Sequence, residues 1–308
     1  MTQPWIRNIE VTVDPVPEWR SSINNAGPSL PKVIVFTGDG SNSQLRIRFK
    51  INKHAGGIQT PGSIEIFNLN PSLRSALQSQ GISIIVKAGW GNIPLAKIFS
   101  GEVMAAWSRR ENANIITTLV CLSGLGTAQQ TIAANLSIAP NGPLAAGIIA
   151  AANQFEGITV DPKNVTVTGN VGSRGYKFSG LVSDCLFDLA RIYGFHWTII
   201  DGSFKAVPDR TPLLGNTIDI NSADGFLLRA EPMLFSEFQI QSGIVIHTLL
   251  NPYIQCDGVI NLTTAINPAL NGSYLIWSLT HTGDTHSSQW ETITETTLVN
   301  NSQGAGFA

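Results

Sequence analysis

The residue types best suited to chemistry stand in "HTGDTHSSQW" (His281 to Trp290), where two histidines bracket an aspartate as His-x2-Asp-x-His. Imidazole nitrogens and a carboxylate that converge on one point hold a divalent metal, and such a metal turns water into a nucleophile. On this reading His281, Asp284 and His286 form the centre of a metal-dependent hydrolase. The competing reading is a hairpin tip. Gly283 and Asp284 carry turn chemistry, and His281 closes the apolar run "SYLIWSLTH" on the face of Leu275, Trp277 and Leu279. No further His or Glu nearby completes a ligand set, and no His-Glu-x-x-His helix is present. The hairpin is the stronger reading. It predicts an inward His281, a turn-forming Asp284, and a tip at which Asp284 and His286 are placed to touch a neighbouring molecule.

Other motifs carry less. "TGDGSNS" (Thr37 to Ser43) follows a strand, but no helix follows it to point N–H groups at a phosphate, so it reads as a hairpin turn. No Gly-x-Ser-x-Gly elbow occurs. Asp184 and Asp188 lie four apart on one predicted helix and read as a solvated face. Cys121, Cys185 and Cys256 are odd in number and widely spaced, which suits buried thiols in a reducing compartment rather than disulfides or zinc. Catalytic residues, cofactors and metals are therefore all expected to be absent.

The elements that would position these residues are mostly strands. "QLRIRFKINK" alternates, with Leu45, Ile47, Phe49 and Ile51 on one face and Arg46, Arg48 and Lys50 on the other. That basic face is a candidate subunit interface or a candidate lining for a channel that carries nucleic acid; the plain alternative is an ordinary exposed face. "WIRNIEVTV", "KVIVFTG", "SIEIFNL", "GISIIVKAGW", "KIFSGEVMAAWS" and "ANIITTLVCLSG" complete about seven strands, and "NPSLRSALQSQG" is a short helix. "PLAAGIIAAANQFEG" and "VSDCLFDLARIYG" are helices closed by Gly, the second with Leu186, Leu189 and Ile192 near one face. "HWTIIDGSFKAVPD" is a hairpin turning at Asp201-Gly202. Strands then return in "EFQIQSGIVIHTLLNP", "GVINLTTAI", "SYLIWSLTH" and "WETITETTLV".

The fold class expected is thus mainly β with a small α+β insert. Residues 1–125 form a first β domain, 126–225 an α+β module, 226–299 a second β domain, and 300–308 a flexible tail. The two β regions share an order: a strand into Leu-Asn-Pro (Leu69-Asn70-Pro71; Leu250-Asn251-Pro252), a Gly-led strand, a strand with Trp107 or Trp277, and a Thr-rich strand. A duplication of one domain would produce this, and so would the common periodicity of strands.

The net charge of −2 leaves no nucleic-acid footprint on the whole chain. The halves differ: residues 1–125 hold 12 Lys+Arg and 7 Asp+Glu (net +5), and the remainder 7 and 14 (net −7). A basic domain of one copy facing an acidic domain of the next would follow, as would chance drift. "MTQPWIRNIEVTV" lacks the apolar core of a signal peptide, and "PLAAGIIAAA" is too short to cross a bilayer, so synthesis in a cytoplasm is expected.

The ordered series "LRIRFKI", "IEIFNL", "GISIIVKAGW", "IFSGEV" resembles the baseplate hub proteins of contractile-tailed bacteriophages. "YKFSGLVSDCLFDLARIYGFHWTIIDGSFKAVP" is similar to their middle module, and "LLNPYIQCDGVINL" with "LNGSYLIWSLTHTGDTHSSQWETITETTL" to their closing β domain. The resemblance runs from about residue 30 to 299. It implies two tail-tube-like domains, a homotrimer on the tail axis, and a symmetry adaptor between the hexameric tail tube protein and the trimeric spike protein. It also implies other baseplate proteins as partners and DNA passing through a lumen without sequence-specific binding. The location implied is the virion, after assembly in the bacterial host cytoplasm. The equivalent hub of a phage-tail-like bacteriocin or injection machine would share all of this.

Overall fold

Period-two apolar patterning builds nearly all of the architecture. The computed structural model describes residues 6–15, 34–39, 41, 44–56, 59–78, 82–91, 94–124, 133–213, 215–233 and 243–299. The connection between residues 16 and 33, the centre of the "TGDGSNS" turn, Gly81, "EFQIQS" (237–242) and the tail 300–308 lie outside the described residues.

The first β region comprises β1 (Arg7–Pro15), β2 (Ile34–Gly38), β3 (Ile47–His54), β4 (Gln59–Phe67), β5 (Ile82–Trp90), β6 (Ala96–Glu111) and β7 (Asn114–Gly124). Helix α1 (Pro71–Leu77) follows β4. Asn70 caps it by accepting from the Leu73 N–H at 2.8 Å, and Pro71 opens it where no N–H is needed. In the pairing order β3-β4-β7-β6-β5-β1-β2, strands from both ends, β3 and β2, bury side chains in one cluster that includes Phe36, Val11, Phe49, Ile64, Ile84 and Phe99, so the sheet curls over a shared core. Leu250 and Trp290 from the far end of the chain complete that core.

The middle region holds β8 (Ala133–Ile138), α2 (Leu144–Ala152), β9 (Thr159–Val165), β10 (Tyr176–Leu181), α3 (Val182–Tyr193), β11 (Phe195–Ile200) and β12 (Ser203–Pro208). β8, β9 and β10 are additions to the two helices and hairpin read from the sequence. α2 stops at Ala152, well before Gly157. α3 ends as expected on a left-handed Gly194, φ 67°. Its buried stripe is Val182, Cys185, Leu186 and Leu189, the i, i+3, i+4, i+7 set. Ile192 is 53% exposed, because successive steps of three drift off the buried face.

The last region holds β13 (Thr217–Asn221), β14 (Leu227–Pro232), β15 (Ile244–Leu249), β16 (Val259–Thr263), β17 (Gly272–Asp284) and β18 (Trp290–Leu298). Strand pairing shows a repeat. In the first region neighbours run β3-β4-β7-β6-β5-β1; in the last they run β14-β15-β18-β17-β16-β13. The series differ at the end, where β1 is antiparallel to β5 and β13 parallel to β16. β17 joins them. Its first half pairs with β16, Leu275 opposite Val259, and its second half with β3, from Ser278 opposite His54 to Asp284 opposite Arg48.

The repeat is in register. β6 and β17 each carry a bulge just after their last pair with β5 or β16, at Val103/Ala105 and Ile276/Ser278, and each ends seven residues later. Met104 is thus the counterpart of Trp277, and Glu111 of Asp284. The strands that carry Trp107 and Trp277 do correspond, but the two tryptophans stand three residues apart in phase, since the bulges set the register.

Candidate functional site

The hairpin between β17 and β18 sends its three polar residues to different places. His281 is fully buried, and its Nδ1 lies 2.9 Å from Thr292 Oγ1. Burial, aided by the nearby Lys53 charge, pushes its pKa well down, so it is a neutral core imidazole. Its other nitrogen, Nε2, is buried without a partner. The bulge in β17 carries Trp277 to the outside, 44% exposed, so the expected common face of Trp277 and His281 does not exist.

Asp284 is also turned in. Arg46 donates to its carboxylate through Nε and Nη2, the closest contact being 2.6 Å. The Asp284 Oδ1 accepts from the His286 N–H at 2.9 Å, the Asx turn that its type predicts. Burial alone would raise the carboxyl pKa; Arg46 and the His286 N–H outweigh it and hold the group below its ordinary value. His286 points outward and is exposed, with Nδ1 at 3.0 Å from Thr285 Oγ1. Of the three, Asp284 is thus buried and His286 is exposed at the tip. Among the described residues no group of three His, Cys, Asp or Glu is placed to hold a metal.

The basic face is committed mostly within the chain. Arg46 joins the first β region to the last through Asp284 and lies 4.6 Å from the Phe67 ring centroid. Arg48 pairs with Glu65, which also takes Arg109 at 3.0 Å. Both arginines thus have a carboxylate partner within the chain and stay about a third exposed. Lys50 is exposed between Thr282 and Ser63. The acidic pair on α3 is not simply solvated either: Asp188 accepts from Tyr176 Oη and Arg191, both at 2.9 Å.

A third set of polar residues welds the middle region to its neighbours, and sequence reasoning missed it. Asp201 opens the β11–β12 turn with φ 53°, followed by Gly202 at 79°, the two left-handed residues that a type I′ turn needs. Its carboxylate takes Lys53 at 2.7 Å and the Ser100 N–H at 2.9 Å. Lys53 continues the buried phase of Ile47, Phe49 and Ile51, so the alternation itself was the signal that a lysine points inward. Beside the pair lies a cavity of about 360 Å3 lined also by Lys97, Lys205 and Gln255. Burial pushes the Lys205 pKa down. His196 of β11 bridges Asp257 at 2.9 Å and Asp209 at 3.2 Å, with its ring edge-on to Trp277. The three cysteines are buried and free, and burial pushes the Cys256 thiol up to about 12. These groups act as fasteners and core, each engaged by another part of the same chain.

Residues 31–296 match the baseplate hub gp41 family. The chain belongs to that family. Baseplate hubs are structural components, so membership gives this chain a place in a phage tail. No curated protein matches it in sequence. In fold, this hub is similar to a tail protein from Neisseria meningitidis MC58, TM-score 0.58 at 10% identity over 94% of this chain and 96% of the other. It is likewise similar to the 43 kDa tail protein of prophage MuSo2 from Shewanella oneidensis, TM-score 0.56 at 11% identity, covering 94% and 97%. The E. coli c3393 protein matches at TM-score 0.51 and 11% identity, covering 87% and 78%. That protein is described as a component of the type VI secretion system with structural similarity to T4 bacteriophage tail proteins gp27 and gp5.

Proposed function

We propose that this hub is a homotrimeric symmetry adaptor between the hexameric tail tube and a trimeric spike. One observation carries the reading: the pairing order β3-β4-β7-β6-β5-β1 recurs as β14-β15-β18-β17-β16-β13 within one chain. Two similar units per chain become six per trimer, so three copies offer a six-fold partner a matching ring. The units are a first tube-like domain (1–125), an α+β module (126–225) and a second tube-like domain (226–299). The pairing of β13 with β16 draws the last domain's sheet back to residue 217.

The role is geometric. The chain uses no catalytic group, metal or cofactor; the scattering of His281, Asp284 and His286 supports this against a metal-dependent hydrolase. Its partners are the tail tube protein, the spike protein and other baseplate proteins, and DNA passes through the lumen without sequence-specific binding. Assembly takes place in the bacterial host cytoplasm and ends in the virion baseplate. The likeness to a type VI secretion component favours a second reading with the same geometry, the hub of an injection machine or tail-like bacteriocin. Sedimentation equilibrium tests the core of the proposal. A stable species near three times 33.0 kDa is expected, and a strict monomer at high concentration contradicts it.

A further inference from the structure

β17 needs two partners on one edge, because it outruns β16 by about half its length. β6 is built the same way and lacks the second one. β5 covers β6 only as far as Glu102 opposite Ser83, and on that side no partner strand lies beside residues 103–111 among the described residues. Met104 and Trp107 there are 49% and 44% exposed. Among the described residues β14, the counterpart of β3, likewise has no partner strand on the edge away from β15, and its Leu228 is 49% exposed.

Resting on the trimeric reading, we infer that the exposed half of β6 in one copy takes β14 of the next copy as an antiparallel partner, in the register that β17 and β3 use inside the chain. The register follows from the repeat. Arg48 faces Glu65 and Lys50 faces Ser63 in β3–β4; Arg229 faces His247 and Glu231 faces Val245 in β14–β15. Counted across the sheets from the two bulges, Ala105, Val120 and Ser63 stand in line as Ser278, Glu295 and Val245 do, so Lys50 corresponds to Glu231 and Arg48 to Arg229. Since Arg48 lies opposite Asp284 and Lys50 opposite Thr282, Arg229 falls opposite Glu111, and Glu231 opposite Arg109. Both are opposite-charge cross-strand pairs. The intrachain seam matches opposite charge at the same place, through Asp284 with Arg46.

The backbone agrees. The Met233 N–H donates to the Gly243 carbonyl, so Arg229 and Glu231 point their backbone groups at β15, and Ala230 and Pro232 point theirs outward. Pro232 withholds one donor from the new ladder but keeps its carbonyl for Ser108. A proline on an edge also discourages pairing with unrelated strands. The contact is head-to-tail, joining different edges of each copy, which is the type that closes into a ring.

Charge reversal tests it in the full chain. Glu111→Arg and Arg229→Glu should each weaken self-association by about ten-fold or more. Combining them in one chain should restore it, because the pair re-forms across copies. Ala230→Pro should abolish the ring while leaving the monomer's circular dichroism unchanged, since only an outward N–H is lost. A wild-type trimer indifferent to these substitutions, or a double variant no better than the singles, overturns the register alone. A wild-type chain that stays at 33.0 kDa overturns both the register and the trimeric reading. A swap-sensitive ring of another copy number keeps the register and overturns the trimer.

Discussion

Lys53 and Asp201 meet at 2.7 Å across the boundary between the first β region and the middle region, with side chains only 7% and 15% exposed. A buried pair broken on one side leaves an uncompensated charge and is costly. Asn tolerates the left-handed backbone of residue 201 as Asp does, so Asp201→Asn removes the charge and spares the turn. The expected loss is about 3 kcal/mol in urea unfolding. Lys53→Met should cost less, because Asp201 keeps its bond from the Ser100 N–H.

His196 makes stability depend on pH on the alkaline side. Burial opposes its protonation, but Asp257 and Asp209 outweigh burial and raise its pKa above 6.5. A raised folded-state value means that stability is fully present below about pH 6.5 and is lost as pH rises through the folded pKa. Thermal midpoints from pH 6 to 9 should fall in the wild type, and His196→Gln should flatten that part of the curve.

His281 acts in the other direction. Its folded-state pKa is depressed by burial, so the unfolded chain binds the proton more readily. Stability should therefore decline as pH falls below about 6.5. The Asp284 carboxyl adds to this at lower pH, since its stabilising charge is present above the ordinary value near 3.8 and is lost below it. Replacing His281 by Leu should remove the first part of the acid slope and leave the second.

Gly283 sits where no Cβ fits. An added methyl would come within 2.5 Å of Trp290 and 2.7 Å of Phe49, two rings held edge to face at 5.3 Å. Gly283→Ala should cost about 1–3 kcal/mol by overpacking, measured as a lower urea midpoint with an unchanged slope.

Arg46 is 36% exposed and Asp284 is 4% exposed by side chain. Solvent screens the pair, so Asp284→Asn should cost only about 1 kcal/mol. Asn keeps the Asx turn, and a double-mutant cycle with Arg46→Ala isolates the charge contribution.

Local pattern made β1 to β7, β11, β12, β15 to β18, α1, α3 and the Asp201-Gly202 hairpin legible, because alternation, caps and turn residues act over a few neighbours; β8, β9, β10, β13 and β14 were not read from it. The turn at Thr285 and His286 was legible for the same reason, but the opening motif is mostly strand: His281 to Asp284 end β17, with Gly283 paired to Trp290 and Phe49 rather than turning the chain. The bulges at Val103/Ala105 and Ile276/Ser278 were not legible, and they decide that Trp277 faces out and Met104 is its counterpart. Nor were the pairs Arg46–Asp284 and Lys53–Asp201, whose members lie 238 and 148 positions apart. Alternation placed Arg46 on the outer face and Lys53 on the inner one; only the three-dimensional seam says which carboxylate each one finds.

That seam also sets a timetable for synthesis. β3 emerges long before β17: Asn52 and Thr280, which share a hydrogen bond, are 228 residues apart. At ribosomal speed the gap is roughly ten to fifty seconds. Throughout it the β3 edge is open to any other nascent strand, and distant pairing of this kind slows folding. Arg46, Arg48 and Lys50 crowd positive charge beside that edge, and charge on an open edge resists wrong partners. The basic face thus does its first work before the native fold exists, guarding a template until the chain's own β17 arrives.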